Sequence, residues 1–136
     1  AYEQVVLAII VSTALASIYL TAEHTVHYNS GLAHAIFYSL TAHPHIEKNH
    51  LHGEVVSYGV LNLLLVDNNM EDFETVYKFN KSVGLPTCLK DLEFTKDSIE
   101  QLAENAVIMK DIEHNPYVIT KEMLITSMEK LEELNK

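Results

Sequence analysis

The sequence has no arginine, one cysteine, four glycines and three prolines in 136 residues, and each shortage closes a class of function. Nineteen carboxylates stand against nine lysines, a formal charge of −10. With that balance and no bidentate guanidinium fork, neither a nucleic-acid partner nor an anionic membrane surface is expected. Cys88 alone makes no internal disulfide and no thiolate cage, which fits a reducing cytoplasm. Of histidines, lysines and aspartates only Lys90 and Asp91 lie within three positions of it, so it reads as a buried or half-buried structural thiol rather than a nucleophile. The scattered glycines build no phosphate-binding loop, no segment keeps a period of two, and no repeat is visible.

What is present is apolar. Hydrophobic residues make up 48% of the chain, enough for one globular domain over 1–136 that buries roughly two thirds of its unfolded surface. Charge is uneven along it. Residues 1–66 hold four carboxylates (Glu3, Glu23, Glu47, Glu54) and one lysine, against fifteen carboxylates and eight lysines in residues 67–136. The first half therefore reads as interior and the second as surface. Seven of the eight histidines, His24, His27, His34, His43, His45, His50 and His52, crowd into the apolar half.

The pattern is helical throughout. Val5 to Leu20 is apolar on every face, the mark of a helix buried on all sides. It is shorter than the ~20 residues of a bilayer span and lacks flanking lysine or arginine, so no membrane helix is expected. Beginning at Ala1 inside such a helix, without a cap, suggests a segment upstream. A second helix is expected from Gly31 to Thr41, ending before Pro44. A third, wholly buried, starts near Leu51 with Asn49 as its cap. Met70 to Val83 is amphipathic, with Phe73, Val76, Tyr77 and Asn80 on one stripe, and Gly84-Leu85-Pro86 stops it. Thr87 is expected to cap a short helix through Leu92. Thr95 or Asp97 opens a helix with Ile99, Leu102, Ala103, Ala106 and Met109 in register, and Thr120 opens the last, striped by Leu124, Met128 and Leu131. The fold class is all-α, a helical bundle in which two buried central helices are wrapped by acidic amphipathic ones.

His34 falls mid-way along the second helix and His52 in the first turn of the third, across a connection that can set the two helices antiparallel. A first-turn histidine feels the positive end of the helix dipole and stays neutral, able to bind a metal. Two such rings are two thirds of a catalytic zinc or iron site, which takes three protein ligands and an open position. The competing reading makes His34 a hydrogen-bonded core histidine and leaves His43, His45 and His50 on a solvated loop. A haemerythrin-like carrier needs i, i+4 pairs with bridging carboxylates, a spacing that His24/His27 and His50/His52 do not have.

Four strings bear on that choice: SGLAHAIFYSLT, then HLHGEVVSYG, SVGLPTCLKDL and IEHNP. In order and spacing they resemble the metal-binding segment of the glycerol dehydrogenase branch of the iron-containing (metal-dependent) alcohol dehydrogenase superfamily, whose first motifs run close to SGGLAxAHAIxNGLT and HGExVAFG. The likeness is strong from about Asn29 to Pro116, and the whole chain looks like that family's C-terminal helical domain, of a dehydroquinate synthase-like fold.

The resemblance implies that His34 and His52 are the two metal-binding histidines. It implies a third ligand, an aspartate, and an N-terminal NAD-binding domain, both outside this chain. The cofactors implied are a divalent metal, zinc or iron, and NAD held by that missing domain. The substrate implied is a small alcohol or polyol, and the assembly a homo-oligomer. No catalytic acid or base is assigned to this chain. It is expected to be enzymatic as part of a complete dehydrogenase and inactive in isolation, the alternative being a stand-alone remnant that serves as an interaction or oligomerisation module. Gly53 is expected to allow close approach at the helix start, and Glu54 to act as an N-terminal charge or an acceptor behind the ligands. Tyr38 and Ser39 replace the family's Asn-Gly, which is expected to narrow the pocket, and Val55 stands where lysine is frequent. His24 and His27 border the cleft or end a helix. His114 and Asn115 lie near the cleft mouth or simply make the turn before Pro116.

Overall fold

The computed structural model describes residues 1–23 and 30–136, and every regular element among them is helical. Seven α-helices follow in order: α1 (Tyr2–Glu23), α2 (Leu32–Thr41), α3 (Pro44–Asn49), α4 (His52–Val66), α5 (Met70–Val83), α6 (Ile99–Val107) and α7 (Lys121–Glu133). Short 3-10 turns at Leu89–Leu92, Lys96–Ser98 and Lys110–Ile112 join the later helices. No helix among the described residues is long and apolar enough to cross a membrane.

The bundle is built on α2 and α4. Leu32, Ile36 and Leu40 recur every four residues on the buried face of α2, and Tyr58, Leu61 and Leu65 follow at spacings of three and four on α4. At Gly59 the two backbones touch: a Cβ there would stand 2.9 Å from Ala33 Cα. One turn along α2 and two turns back along α4, the Phe37 ring meets His52. The contacts Ala33–Gly59 and Phe37–His52 thus progress in opposite chain directions, so α2 and α4 are antiparallel. Around this pair α6 contributes Leu102 and Ala106, and α7 Leu124, Met128 and Leu131, all fully buried.

Several polar groups inside the bundle are paired across elements. The Ser39 hydroxyl donates to Leu102 O at 2.7 Å, joining α2 to α6. The Ser127 hydroxyl lies 3.0 Å from Asn62 Oδ1, joining α7 to α4. Leu89 N donates to Glu132 Oε1 at 2.6 Å, pinning the 3-10 turn to α7. Helix ends follow local chemistry. Asn69 caps α5 through Asp72 N, Thr120 caps α7 through Met123 N, and α5 stops at left-handed Gly84 (φ 77°) with Leu85 N returned to Asn80 O.

The structure corrects three expectations. The run from Val5 to Leu20 is part of a longer helix, and it is not buried: Val5, Leu7, Ile9, Ile10 and Ile18 each expose more than half of their surface. The buried central pair is α2 and α4 instead. The stretch expected as a loop before α4 holds α3, because Pro44 at its first position needs no hydrogen-bond partner there and only His43, before it, is held extended (φ −102°, ψ 117°). Thr87 does not cap the turn after α5 with its hydroxyl. Instead the Asp91 carboxylate accepts from both Thr87 N (2.9 Å) and Cys88 N (3.2 Å).

Candidate metal centre

His34 is the third residue of α2 and His52 the first of α4. The expectation that His34 sits mid-helix is therefore amended, since both imidazoles project from first helical turns, where unpaired N–H groups make the local potential positive. The antiparallel packing brings the rings to 5.7 Å between centroids, tilted by 45°. His34 is half-buried and His52 exposed. Burial first, and then the neighbouring His52, hold the His34 imidazole below its ordinary pKa, with Asp111 opposing them. A neutral ring keeps a lone pair for a cation, so these two side chains fit the chemistry of a metal-binding pair. Among the described residues no group of three or more His, Cys, Asp or Glu side chains converges into a complete metal site.

The neighbours of the pair are set by the same two helix starts. Phe37, one turn after His34, meets the His52 ring edge-on at 4.4 Å. Glu54 Oε2 accepts from Leu51 N at 2.9 Å, closing the first turn of α4; this matches the role of N-terminal charge rather than ligand. A cavity of about 280 Å³ opens beside His52, with Phe37, Ile46 and Val55 as apolar walls and Thr41, Glu47 and His50 as polar ones.

Several sequence expectations end elsewhere. A Cβ at Gly53 would meet nothing within 4 Å, so the close approach belongs to Gly59, six residues on. Ser39 does not narrow the pocket, being fully buried and turned toward α6, while Tyr38 is exposed. His43, His45 and His50 do not decorate a solvated loop. His43 and His45 pack against the Phe94 ring at 4.9 and 5.0 Å, and His50 lies between Glu54 (3.7 Å) and Glu93 (3.4 Å). His114 is exposed and Asn115 N donates to Ile112 O at 3.2 Å, the turn before Pro116. Cys88 is buried, which pushes its thiol up, as a structural cysteine requires. His24 and His27 lie outside the described residues. Sequence reasoning missed Gly59, whose only signal is a lone glycine in an apolar helix, and Asp111, for which no local signal exists.

No family model matches the chain. It is 41% identical over 87 residues to a glycerol dehydrogenase of Thermotoga maritima, covering 61% of this chain and 24% of that protein. It is 37% identical over 102 residues to a glycerol dehydrogenase of Citrobacter freundii, covering 69% and 27%. The chain thus spans about a quarter of the length of the curated relatives it matches. Its fold superposes on a crystal structure of a probable glycerol dehydrogenase from Sinorhizobium meliloti with a TM-score of 0.67 and 31% identity, over 76% of this chain and 30% of that one. In sequence and in fold the chain is a relative of the glycerol dehydrogenases and corresponds to their helical part.

Proposed function

We propose that His34 and His52 are two of the protein ligands of a divalent cation, zinc or ferrous iron, and that this chain is the helical metal-binding part of an NAD-dependent glycerol, polyol or alcohol dehydrogenase. One observation carries the reading: the strings that resemble the family's two metal motifs converge in space, placing two imidazoles 5.7 Å apart at adjacent helix starts. When bound, such a cation supplies Lewis-acid polarisation of the alcohol oxygen.

The chain's own residues have three tasks. Burial, and then His52, lower the His34 pKa and so favour the neutral ring, whose lone pair a cation needs. Phe37 restricts rotation of the His52 ring from one side. The cavity beside His52 offers apolar walls for a short carbon chain and Thr41 and Glu47 for a further hydroxyl, which suits a small polyol. Hydride transfer also needs the nicotinamide held against the carbinol carbon to within a fraction of an ångström. We assign that task, and the third metal ligand, to a nucleotide-binding unit outside residues 1–136.

Calorimetric titration of the chain with zinc, and spectroscopic titration with cobalt(II), test the pair. Two imidazoles without a third ligand give weak stoichiometric binding, and His34→Ala or His52→Ala lowers it tenfold or more. If both variants bind as the parent does, the assignment is wrong.

A further inference from the structure

Two imidazoles at two helix starts set a charge problem for a cation held by both. The first turns of α2 and α4 leave N–H groups unpaired, and the positive potential there opposes a dication while it favours an anion. At α2 the cap is Gly31, which has no side chain to answer those groups. A nearby carboxylate offsets the potential, yet the two helices supply little. α2 carries no charged residue and α4 carries one, Glu54, whose Oε2 is already committed to Leu51 N at 2.9 Å.

Three further elements pack on α2: α3, α6 and the 3-10 turn Lys110–Ile112. On α3, Glu47 and Lys48 are exposed. On α6, Glu100 and Glu104 are exposed and lie 3.1 and 3.9 Å from Lys121 Nζ. The turn is different. Met109 and Ile112, three positions apart and so on one face of it, pack against the core, and Glu113 N closes on Lys110 O at 3.0 Å. Between those anchors Asp111 is half-buried, while Lys110 and Glu113 on either side of it are exposed or capped away from the core. Burial and then His52 lower the His34 pKa, and the Asp111 carboxylate works against both, so its negative charge lies within electrostatic reach of that ring.

We propose that Asp111 is the charge-balancing residue of the His34–His52 pair, a carboxylate held behind the cation site by the 3-10 turn without ligating the cation. The inference rests on the metal-binding reading and deepens it. Among the described residues no third ligand converges on the two rings, so Asp111 acts through space rather than by coordination. It makes two helix starts, otherwise suited to an anion, hospitable to a divalent cation.

Calorimetric zinc titration of the full chain tests the assignment, with melting temperatures of the metal-free proteins as the control for folding. Asp111→Asn keeps the shape, removes the charge and lowers zinc affinity roughly fivefold at low salt, as one charge acting through partly screened space should. Asp111→Ser, a second neutral variant, shows the same loss. Raising potassium nitrate from about 0.02 M to about 0.3 M narrows the gap to the parent. Asp111→Glu restores most of the affinity, and Glu113→Gln, an exposed acid two positions on, leaves it unchanged. His34→Ala and His52→Ala judge the metal pair separately. If they weaken binding and the neutral Asp111 variants do not, this inference fails and the pair stands. If neither histidine variant weakens binding, the pair falls and this inference with it. A loss in Asp111→Asn that Asp111→Glu fails to restore, or that salt leaves untouched, also overturns the proposal.

Discussion

Gly59 of α4 and Ala33 of α2 touch backbone to backbone, so closely that a Cβ on Gly59 would lie 2.9 Å from Ala33 Cα and 3.0 Å from its carbonyl carbon. The next residue after Ala33 is His34, and His52 lies seven positions before Gly59, on the same face of α4. The glycine thus sets the separation of the two helices from which both candidate ligands project.

Gly59→Ala is therefore expected to act on both stability and site. The obstructing atoms are main-chain, so no flexible side chain yields, and the helices must part at a cost of about 1–3 kcal/mol. Thermal unfolding followed by circular dichroism should show the melting temperature falling by several degrees. Zinc affinity in the surviving folded protein should fall as well. Gly53→Ala, with open space around its Cβ, should change neither by a comparable amount.

Phe37 packs edge-on against His52, so its removal frees the ring without removing a ligand. Phe37→Ala is expected to weaken zinc binding several-fold, less than His52→Ala, and Phe37→Tyr to leave it nearly unchanged. Equal losses for Phe37→Ala and His52→Ala would mean that the aromatic ring holds the helix start rather than the imidazole.

Much of the fold was legible because its signals are local. Asn69 and Gly84 bound α5 as their chemistry demands, and Thr120 opens α7 with Leu124, Met128 and Leu131 buried on the expected stripe. The pairing of His34 with His52 was readable from the motif strings, and the geometry brings them together. What was not legible depends on contacts far apart in sequence. A helix apolar on every face says that it wants cover, but nothing local says whether this chain supplies it, and α1 stays exposed. Ser39 looked like part of the pocket wall because it follows the metal motif, yet its partner is Leu102, on α6. Gly53 and Gly59 are alike as letters, and only the crossing of α2 over α4 distinguishes them.

Glu132 is buried and accepts the Leu89 N–H at 2.6 Å. Glu132→Ala leaves that buried donor without a partner, at a cost of about 1–3 kcal/mol. Glu132→Gln keeps an amide oxygen in the same place and should lose less than half as much. Urea unfolding midpoints of the three proteins at neutral pH check the ranking. A Gln variant as unstable as the Ala variant would show that the negative charge, rather than the acceptor, matters.

Asp91 adds a pH dependence whose sign follows from its surroundings. Burial alone would raise its pKa, but the N–H groups of Thr87 and Cys88 donate to the carboxylate and outweigh burial, so the folded value lies below the ordinary one. Above the ordinary carboxyl pKa of about 3.9 the group is ionised in both folded and unfolded chains, and its contribution to stability is complete. As pH falls below about 4 the unfolded chain takes up the proton first, and the contribution fades until the folded carboxyl is protonated too. Asp91→Asn cannot titrate. The variant should therefore be less stable than the parent at pH 7, and the gap should narrow as pH falls below about 4. Urea midpoints measured across that range decide the point: a gap that stays constant would mean that the Thr87 and Cys88 donors do not favour the charged form of Asp91.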